Sequence, residues 1–287
     1  PDNRDARMIA SGHMSGKKPI LCVIGPTASG KTAAAVTLAK QHSGEVISVD
    51  SRQVYRTLDI GTEKVTPEEM QGVPHHLIDI RDPEESYSAG DFVTDAARLI
   101  EEIRSRGKTP ILAGGTHFYF DALLNGLPAE VAPNAILRAE LETKSDEDLL
   151  AEIEERDPER AAELDPKNRR RLIRALEILA ACDTVPRRTR NEAYEVEWHV
   201  MLPPRDELRE KIVKRLEAAL SRGLIEEVRK TQERVGDDRL NELGLEYRIV
   251  GEYLRGERDE TSLLPALSAK LFQYARRQEA WIRKLTS

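Results

Sequence analysis

Residues Gly25-Pro26-Thr27-Ala28-Ser29-Gly30-Lys31-Thr32 have the types and spacing of a loop that grips a diphosphate. Gly25 and Gly30 let backbone N–H groups close around phosphate oxygens, with Thr27, Ala28 and Ser29 carrying the loop between them. Lys31 adds a mobile positive charge, Thr32 offers a hydroxyl to Mg2+, and the following helix points its positive dipole end inward. The apolar run Ile20-Leu21-Cys22-Val23-Ile24 precedes the loop and a helical run from Ala33 to Lys40 follows it. That strand–loop–helix context is what the motif requires, and a ligand-free glycine turn would not need it.

Two more segments follow apolar runs: Asp50-Ser51-Arg52-Gln53-Val54-Tyr55 and Gly114-Gly115-Thr116. Open α/β sheets place ligands at the carboxyl ends of their strands, so these segments and the loop can share one crevice. By position alone, Asp50 can be a Mg2+ ligand, a general base or the N-cap of the next turn. Gly114-Gly115 can simply make a tight turn, or it can let a ligand approach the backbone. No apolar run ending in Asp follows the third or fourth strand, which argues against a nucleotide-hydrolysing site. His75-His76 invite a zinc reading, but adjacent residues of a strand point to opposite faces.

The elements that must carry these residues alternate along the chain. Strands are expected at 19–24, 45–49, 76–80 and 109–113, with helices at 31–42, 89–106 and 118–124. This alternation predicts an α/β fold with a P-loop-type parallel sheet flanked by helices. Ser88 with Asp91 should cap the helix at 89, and Gly107 should end it. After Gly126-Leu127-Pro128 a charged, Ala- and Leu-rich stretch reads as a helical insertion domain, 130–193. A strand at 194–202 then returns to the sheet, and helices at 205–221, 224–232, 247–254 and 263–285 form a helical C-terminal region. The catalytic core is therefore expected from 17–129 and 194–287. Residues 1–16 are polar, and Ser11-Gly12-His13-Met14 reads like a cloning remnant, so this segment is expected to lie outside the fold.

The chain has 287 residues, 39% hydrophobic and 33% charged, and no apolar stretch approaches the ~20 residues of a membrane span. Cys22 and Cys182 make neither a disulfide framework nor a metal motif, which suggests a reducing cytoplasm. A net charge of −7 argues against nucleic acid globally, yet the basic residues cluster. Lys167 with Arg169, Arg170, Arg171 and Arg174 form one cluster, Arg187, Arg188 and Arg190 a second, and Arg276, Arg277, Arg283 and Lys284 a third. Each alone reads as a solvated helix face, but three beside a catalytic-looking loop favour a polyanionic partner.

The linked set of motifs resembles the bacterial and organellar tRNA dimethylallyltransferases. The resemblance rests on the phosphate loop, Asp50-Ser51 with Gln53-Val54-Tyr55, Leu58-Asp59-Ile60-Gly61-Thr62, Val73-Pro74-His75-His76-Leu77-Ile78-Asp79 and Gly114-Gly115-Thr116. It continues through Arg138, Arg171 with Arg174-Ala175-Leu176-Glu177, Gly223-Leu224 with Glu227-Val228, and Ala275-Arg276-Arg277-Gln278 with Trp281. It implies transfer of a five-carbon allyl group from dimethylallyl diphosphate to the exocyclic amine of an adenine beside the anticodon of tRNA, with Mg2+ as cofactor. Carried over by position, Asp50 is the catalytic base, Thr116 orients the amine and Lys31 serves the leaving group. Ser51, Arg52 and Gln53 then flank the base, while Arg138, Arg170, Arg171, Arg174, Arg276, Arg277, Gln278, Trp281 and Arg283 meet the anticodon stem-loop. A cytoplasmic monomer is expected.

The chain departs from the family pattern at His117-Phe118-Tyr119, at Gly244-Leu245-Glu246 and at Glu279-Ala280, which puts RNA contacts at 241–246 in question. Three rival readings are an adenylate isopentenyltransferase acting on free AMP, ADP or ATP, a small-molecule kinase, and a non-catalytic RNA-binding module. Trp281 can be an aromatic platform with Arg277 and Lys284 or a core residue.

Overall fold

Apolar runs bounded by turn residues become the strands of one sheet. In the computed structural model, which describes residues 6–10, 19–127, 131–132, 134–186 and 191–286, the chain begins β1 (Ala6–Ala10), β2 (Ile20–Ile24), α1 (Lys31–Gln41), β3 (Gly44–Ser48). It continues α2 (Pro67–Met70), β4 (His75–His76), α3 (Ala89–Ser105), β5 (Thr109–Gly114) and α4 (His117–Asn125). Helices α5 (Ala135–Leu141), α6 (Asp146–Arg156), α7 (Pro158–Glu163) and α8 (Arg169–Ala181) precede β6 (Val196–Met201). Four helices close the chain: α9 (Arg205–Ser221), α10 (Leu224–Glu242), α11 (Leu245–Leu254) and α12 (Leu263–Leu285).

The sheet order is β1-β6-β2-β5-β3-β4, parallel throughout except for the antiparallel β1 at one edge. Strands β2 and β5 are buried along their whole length, as expected of central parallel strands with both faces covered. Alternate residues feed opposite layers. Leu21, Val23, Val46 and Ile111 pack on one face against Ala35, Val36 and Ala39 of α1. Ile20, Cys22, Ile24, Ile47 and Leu112 face the other, larger layer, where α3, α4 and the four C-terminal helices contribute Phe92, Phe120, Leu208, Leu224, Tyr247 and Leu271. Ser88 and Asp91 form the expected reciprocal capping box, and Gly107 with φ 72 follows the end of α3.

Several boundaries differ from expectation. Residues 6–10, expected outside the fold, pair with β6 from Ala6↔Met201 to Ala10↔Glu197; the short extended run covers an otherwise open sheet edge. Strand β4 spans only His75–His76 rather than 76–80, because Leu77 and Asp79 adopt left-handed backbone angles, φ 62 and 55, and turn the chain. Helix α10 extends past the expected end at 232 to Glu242, with Gly236 (φ 76, ψ 171) breaking its helical geometry. No described helix is long and apolar enough to cross a membrane.

The chain divides into two compact units: Pro1–Leu124 with Glu192–Ser287, which holds the sheet, and Asn125–Asn191, against the expected 130–193. The second unit has its own core, built from residues including Leu141, Leu149, Ile153, Leu172, Leu176 and Leu179. Within it the buried Glu177 accepts from Arg138 (2.8 Å), Arg174 (3.3 Å) and the Asn134 N–H (3.2 Å). Burial works against ionisation of this carboxyl, but those hydrogen bonds hold it below the ordinary glutamate value.

One close approach fixes the ligand end of the sheet. A Cβ added at Gly114 would lie 2.0 Å from the Val49 carbonyl oxygen. Gly114→Ala should therefore destabilise the sheet unit by about 1–3 kcal/mol, as overpacking does. Urea unfolding followed by circular dichroism measures this, and an unchanged midpoint would show that Val49 and Gly114 do not touch.

Candidate active site

At the end of β2 the chain turns back on itself at Gly25, where a Cβ would fall 2.5 Å from Ser29 Oγ and 2.7 Å from the Met201 carbonyl. Ala28 (φ 61) and Gly30 (φ 85) take left-handed angles, of the kind that shape backbone concavities for anions. Helix α1 starts at Lys31 with no side-chain cap, so its first N–H groups remain available for an anion. Ser29 Oγ is buried and has no hydrogen-bond partner among the described residues. An unsatisfied hydroxyl inside such a loop fits a ligand that brings its own oxygens.

Lys31 donates to the Pro26 carbonyl at 3.0 Å. Burial pushes its ammonium down to about 8, the Asp50 carboxylate resists that fall, and the Arg215 guanidinium adds to it. The lysine thus keeps its charge below that pH and loses it above, unless an anion arrives to restore it.

Asp50 directly follows Val49. Its Oδ1 accepts from the N–H groups of Arg52 (2.8 Å) and Gln53 (3.2 Å), so the capping reading is correct for that oxygen; Oδ2 takes neither bond. Capping and chemistry are compatible here, because the turn fixes the carboxylate while leaving one oxygen out of it. Thr116 Oγ1 accepts from the Ser51 N–H at 3.0 Å, which places it beside the same turn. The loop and the Gly114–Gly115 turn are joined by Gln278 of α12, whose Oε1 accepts from Thr27 N–H and whose Nε2 donates to the Gly115 carbonyl, each at 2.8 Å.

These residues line a cavity of about 210 Å3 that includes Thr27, Lys31, Asp50, Thr116, Arg215 and Glu246. Ser51, Arg52 and Gln278 also line it, together with Tyr274, which is 41% exposed. Burial pushes the Tyr274 phenol up to about 12, with Asp50 adding to the rise, so it stays neutral. Gln53, expected beside the base, instead donates to the carbonyls of Thr62 (3.2 Å) and Glu63 (2.9 Å) and pins that segment. Thr32 is exposed in the first turn of α1.

The expected RNA-facing residues separate into three groups. Gln278, expected on the RNA, is only 4% exposed and makes the tether just described. Arg138 and Arg174 are half-buried or partly exposed and paired with Glu177 inside the second unit, whereas Arg170 and Arg171 are exposed at the start of α8. Arg276, Arg277 and Arg283 line a surface depression of about 480 Å3 on the sheet unit with Arg205. Trp281 is partly buried with Lys284 Nζ 5.6 Å over its ring, which retains both the platform and the packing character. Of the second basic cluster, residues 187–190 lie outside the described residues. Neither His75 nor His76 belongs to a metal-sized group of ligands among the described residues; His76 pairs with Glu45 at 2.7 Å.

Sequence reasoning did not assign Arg215, Glu246, Glu227 or Tyr274 to the site. Arg215 in α9 donates to Thr27 Oγ1 at 2.7 Å, and no local motif distinguishes it from the other cations of that helix. Glu246, singled out only as a departure from a pattern, faces the cavity. Glu227 accepts from the N–H groups of Asp59 (2.9 Å), Ile60 (2.7 Å) and Gly61 (2.9 Å) and from Tyr247 OH (2.6 Å), fixing the loop that forms one wall. Its only signal was its place after Gly223-Leu224.

Residues 53–285 match the family model described as IPP transferase. The chain is 44% identical to the tRNA dimethylallyltransferase of Thermomicrobium roseum, covering 95% of this chain and 85% of that protein. It is 42% identical to the tRNA dimethylallyltransferase of Cupriavidus necator, covering 92% and 88%. Among solved structures, the tRNA isopentenylpyrophosphate transferase of Bacillus halodurans superposes with a TM-score of 0.69 at 39% identity, over 93% of this chain and 87% of that one. A eukaryotic dimethylallyltransferase acting on tRNA gives a TM-score of 0.78 at 27% identity, over 93% and 70%. By family model, sequence identity and superposition alike, the chain belongs to the IPP transferase family.

Proposed function

We propose that this protein transfers a dimethylallyl group from dimethylallyl diphosphate to the exocyclic amine, N6, of the adenine on the 3′ side of a tRNA anticodon, releasing diphosphate. The observation that carries the reading is the meeting of Lys31, Asp50 and Thr116 in one cavity at the ends of three parallel strands.

In the reaction the C1–O bond of the allylic diphosphate breaks and negative charge grows on the leaving oxygen. Fixed N–H donors of the loop, with Lys31 and Arg215, stabilise that charge more in the transition state than in the ground state. The adenine amine attacks C1 as a weak nucleophile, because its lone pair is delocalised into the ring. Asp50 accepts the amine proton as the N–C bond forms. Thr116, held beside Asp50 through Ser51, orients the amine.

The residues present fit Mg2+ of the kind bound mainly by phosphate oxygens: Thr32 presents an exposed hydroxyl beside the loop, and no cluster of acidic ligands occurs among the described residues. Thr32 would hold the ion, which when bound would neutralise charge on the leaving diphosphate.

The target base is out of reach while stacked, so it is extruded into the cavity, where Tyr274 offers an aromatic face and Arg52 a cation. Arg170 and Arg171 of the second unit and the Arg276, Arg277, Arg283 depression of the first supply phosphate contacts. We place it in the cytoplasm, where its tRNA substrate is, acting as a monomer.

Incubation of the protein with labelled dimethylallyl diphosphate and either unmodified tRNA or AMP, followed by mass spectrometry of nucleosides, tests the assignment. Prenylated adenosine in tRNA supports it, label confined to AMP assigns a free-nucleotide acceptor, and ATP consumption without prenyl transfer assigns a kinase. Asp50→Ala and Thr116→Ala should each lower kcat by about 10²–10⁴-fold while tRNA binding persists in filter-binding assays. Lys31→Ala should raise KM for the diphosphate. Arg171→Ala or Arg277→Ala should weaken tRNA binding and flatten its log–log salt dependence by about 0.7–0.9 for each phosphate no longer neutralised. An unaltered slope in both variants would remove these arginines from the RNA surface.

A further inference from the structure

Arg215 stands between two partners of different kinds. One terminal nitrogen donates to Thr27 Oγ1 in the phosphate loop at 2.7 Å, and the other lies 3.7 Å from Glu246 Oε1. Both side chains are mostly buried, 21% and 14% exposed, and both line the cavity. An ion pair in such a place is held by the match of its charges, so a stronger anion arriving beside Thr27 competes directly with Glu246 for the guanidinium.

We propose that Glu246 is a positioning residue that restrains Arg215 in the free protein and takes up a proton when a diphosphate in the loop draws Arg215 away. The inference rests on the proposed placement of the diphosphate. It requires a carboxyl that accepts a proton readily once its cation is gone. Burial pushes the Glu246 carboxyl above the ordinary glutamate value and Asp50 pushes in the same sense; Arg215 is the main opposing charge, with Arg52 a lesser one. The groups facing Glu246 are thus Arg215 from α9, Asp50 and Arg52 from the segment after β3, Tyr247 on its own helix and Tyr274 from α12. Loss of the Arg215 pairing removes the largest of the influences that keep it ionised.

The charge balance points the same way. With Lys31, Arg52 and Arg215 protonated and Asp50 and Glu246 ionised, the cavity carries one net positive charge. Without a metal ion, a diphosphate brings about two or three negative charges at neutral pH, more than that single positive charge, and the added negative charge favours the protonated form of Glu246. Because the free protein must gain a proton to bind, affinity falls as pH rises above the free-state value of Glu246.

Isothermal titration calorimetry with inorganic pyrophosphate, in pairs of buffers of different ionisation enthalpy, measures the protons taken up. Titrations between about pH 5 and about pH 6.5 keep Lys31 almost wholly charged. The titration of pyrophosphate itself is common to every variant and cancels in the comparison. Wild-type protein should take up more protons than Glu246→Gln, and at the upper pH Glu246→Gln should bind about fivefold tighter or more. In an Arg215→Gln background the same change should leave affinity unaltered, which a merely structural role for Glu246 would not produce. Should the glutamine variant fail to fold, Glu246→Ser removes the same charge. Equal proton uptake with and without Glu246, in a protein whose pyrophosphate binding still needs Lys31, would overturn this proposal alone. Binding that is absent from the wild type, or unchanged in Lys31→Ala, would overturn the phosphate-loop assignment with it.

Discussion

Backbone contact between the end of β3 and the turn after β5 is the constraint on which the cavity depends. Val49 N–H donates to the Ala113 carbonyl at 2.8 Å, and Thr116 N–H donates to the Val49 carbonyl at 3.1 Å. The absence of a side chain at Gly114 allows that approach. Asp50 is the next residue after Val49, so Asp50 and Thr116 are set beside each other by main-chain hydrogen bonds rather than by side-chain rotamers alone. Catalytic groups placed by rigid backbone need little reorganisation when substrate arrives.

The third strand end joins this frame through a neutral group. Gln278 both donates and accepts, so one amide links Thr27 to Gly115 without adding charge. A lysine or glutamate could satisfy only one side of that link, and would change the field felt by an anion in the loop. The position of the amide is set by hydrophobic burial: Leu271, Ala275 and Ile282 hold the same face of α12 in the core.

Much of this was legible in the sequence where local chemistry dictates structure. The turn between β2 and α1, the Ser88 cap, the parallel alternation and the helical insertion each depend on residues adjacent in the chain, and each has a physical signature there. Asp50 and Thr116 could be placed because strand ends of an open sheet converge. Arg215, Glu227 and Glu246 were not legible as site residues, since their partners lie far off in sequence: 188 residues separate Arg215 from Thr27, and 166 separate Glu227 from Gly61. Gln278 was not legible as a tether for the related reason that an amide beside two arginines looks solvent-facing, while the helix turns it inward. The edge strand at 6–10 was hidden by its polar surroundings, and the short β4 by left-handed residues whose types do not announce such angles.

Helix-end electrostatics distinguishes among the arginines proposed to meet RNA. Arg283 and Lys284 lie in the last turn of α12, where cations are favoured by the helix dipole, so their presence there needs no ligand. Arg170 and Arg171 occupy the first turn of α8, which contains no acidic residue, and cations there oppose the dipole. Arg169 beside them is compensated by Glu142 at 2.9 Å and Asp146 at 2.6 Å, and it also donates to the Glu142 and Lys144 carbonyls at 2.7 and 2.8 Å. Arg170 and Arg171 have exposed side chains at a helix end whose N–H groups already attract anions. Their placement costs the isolated helix stability and strengthens the field presented to a polyanion. On a chain whose net charge is −7, that local arrangement, rather than any global attraction, is what a phosphate backbone would encounter.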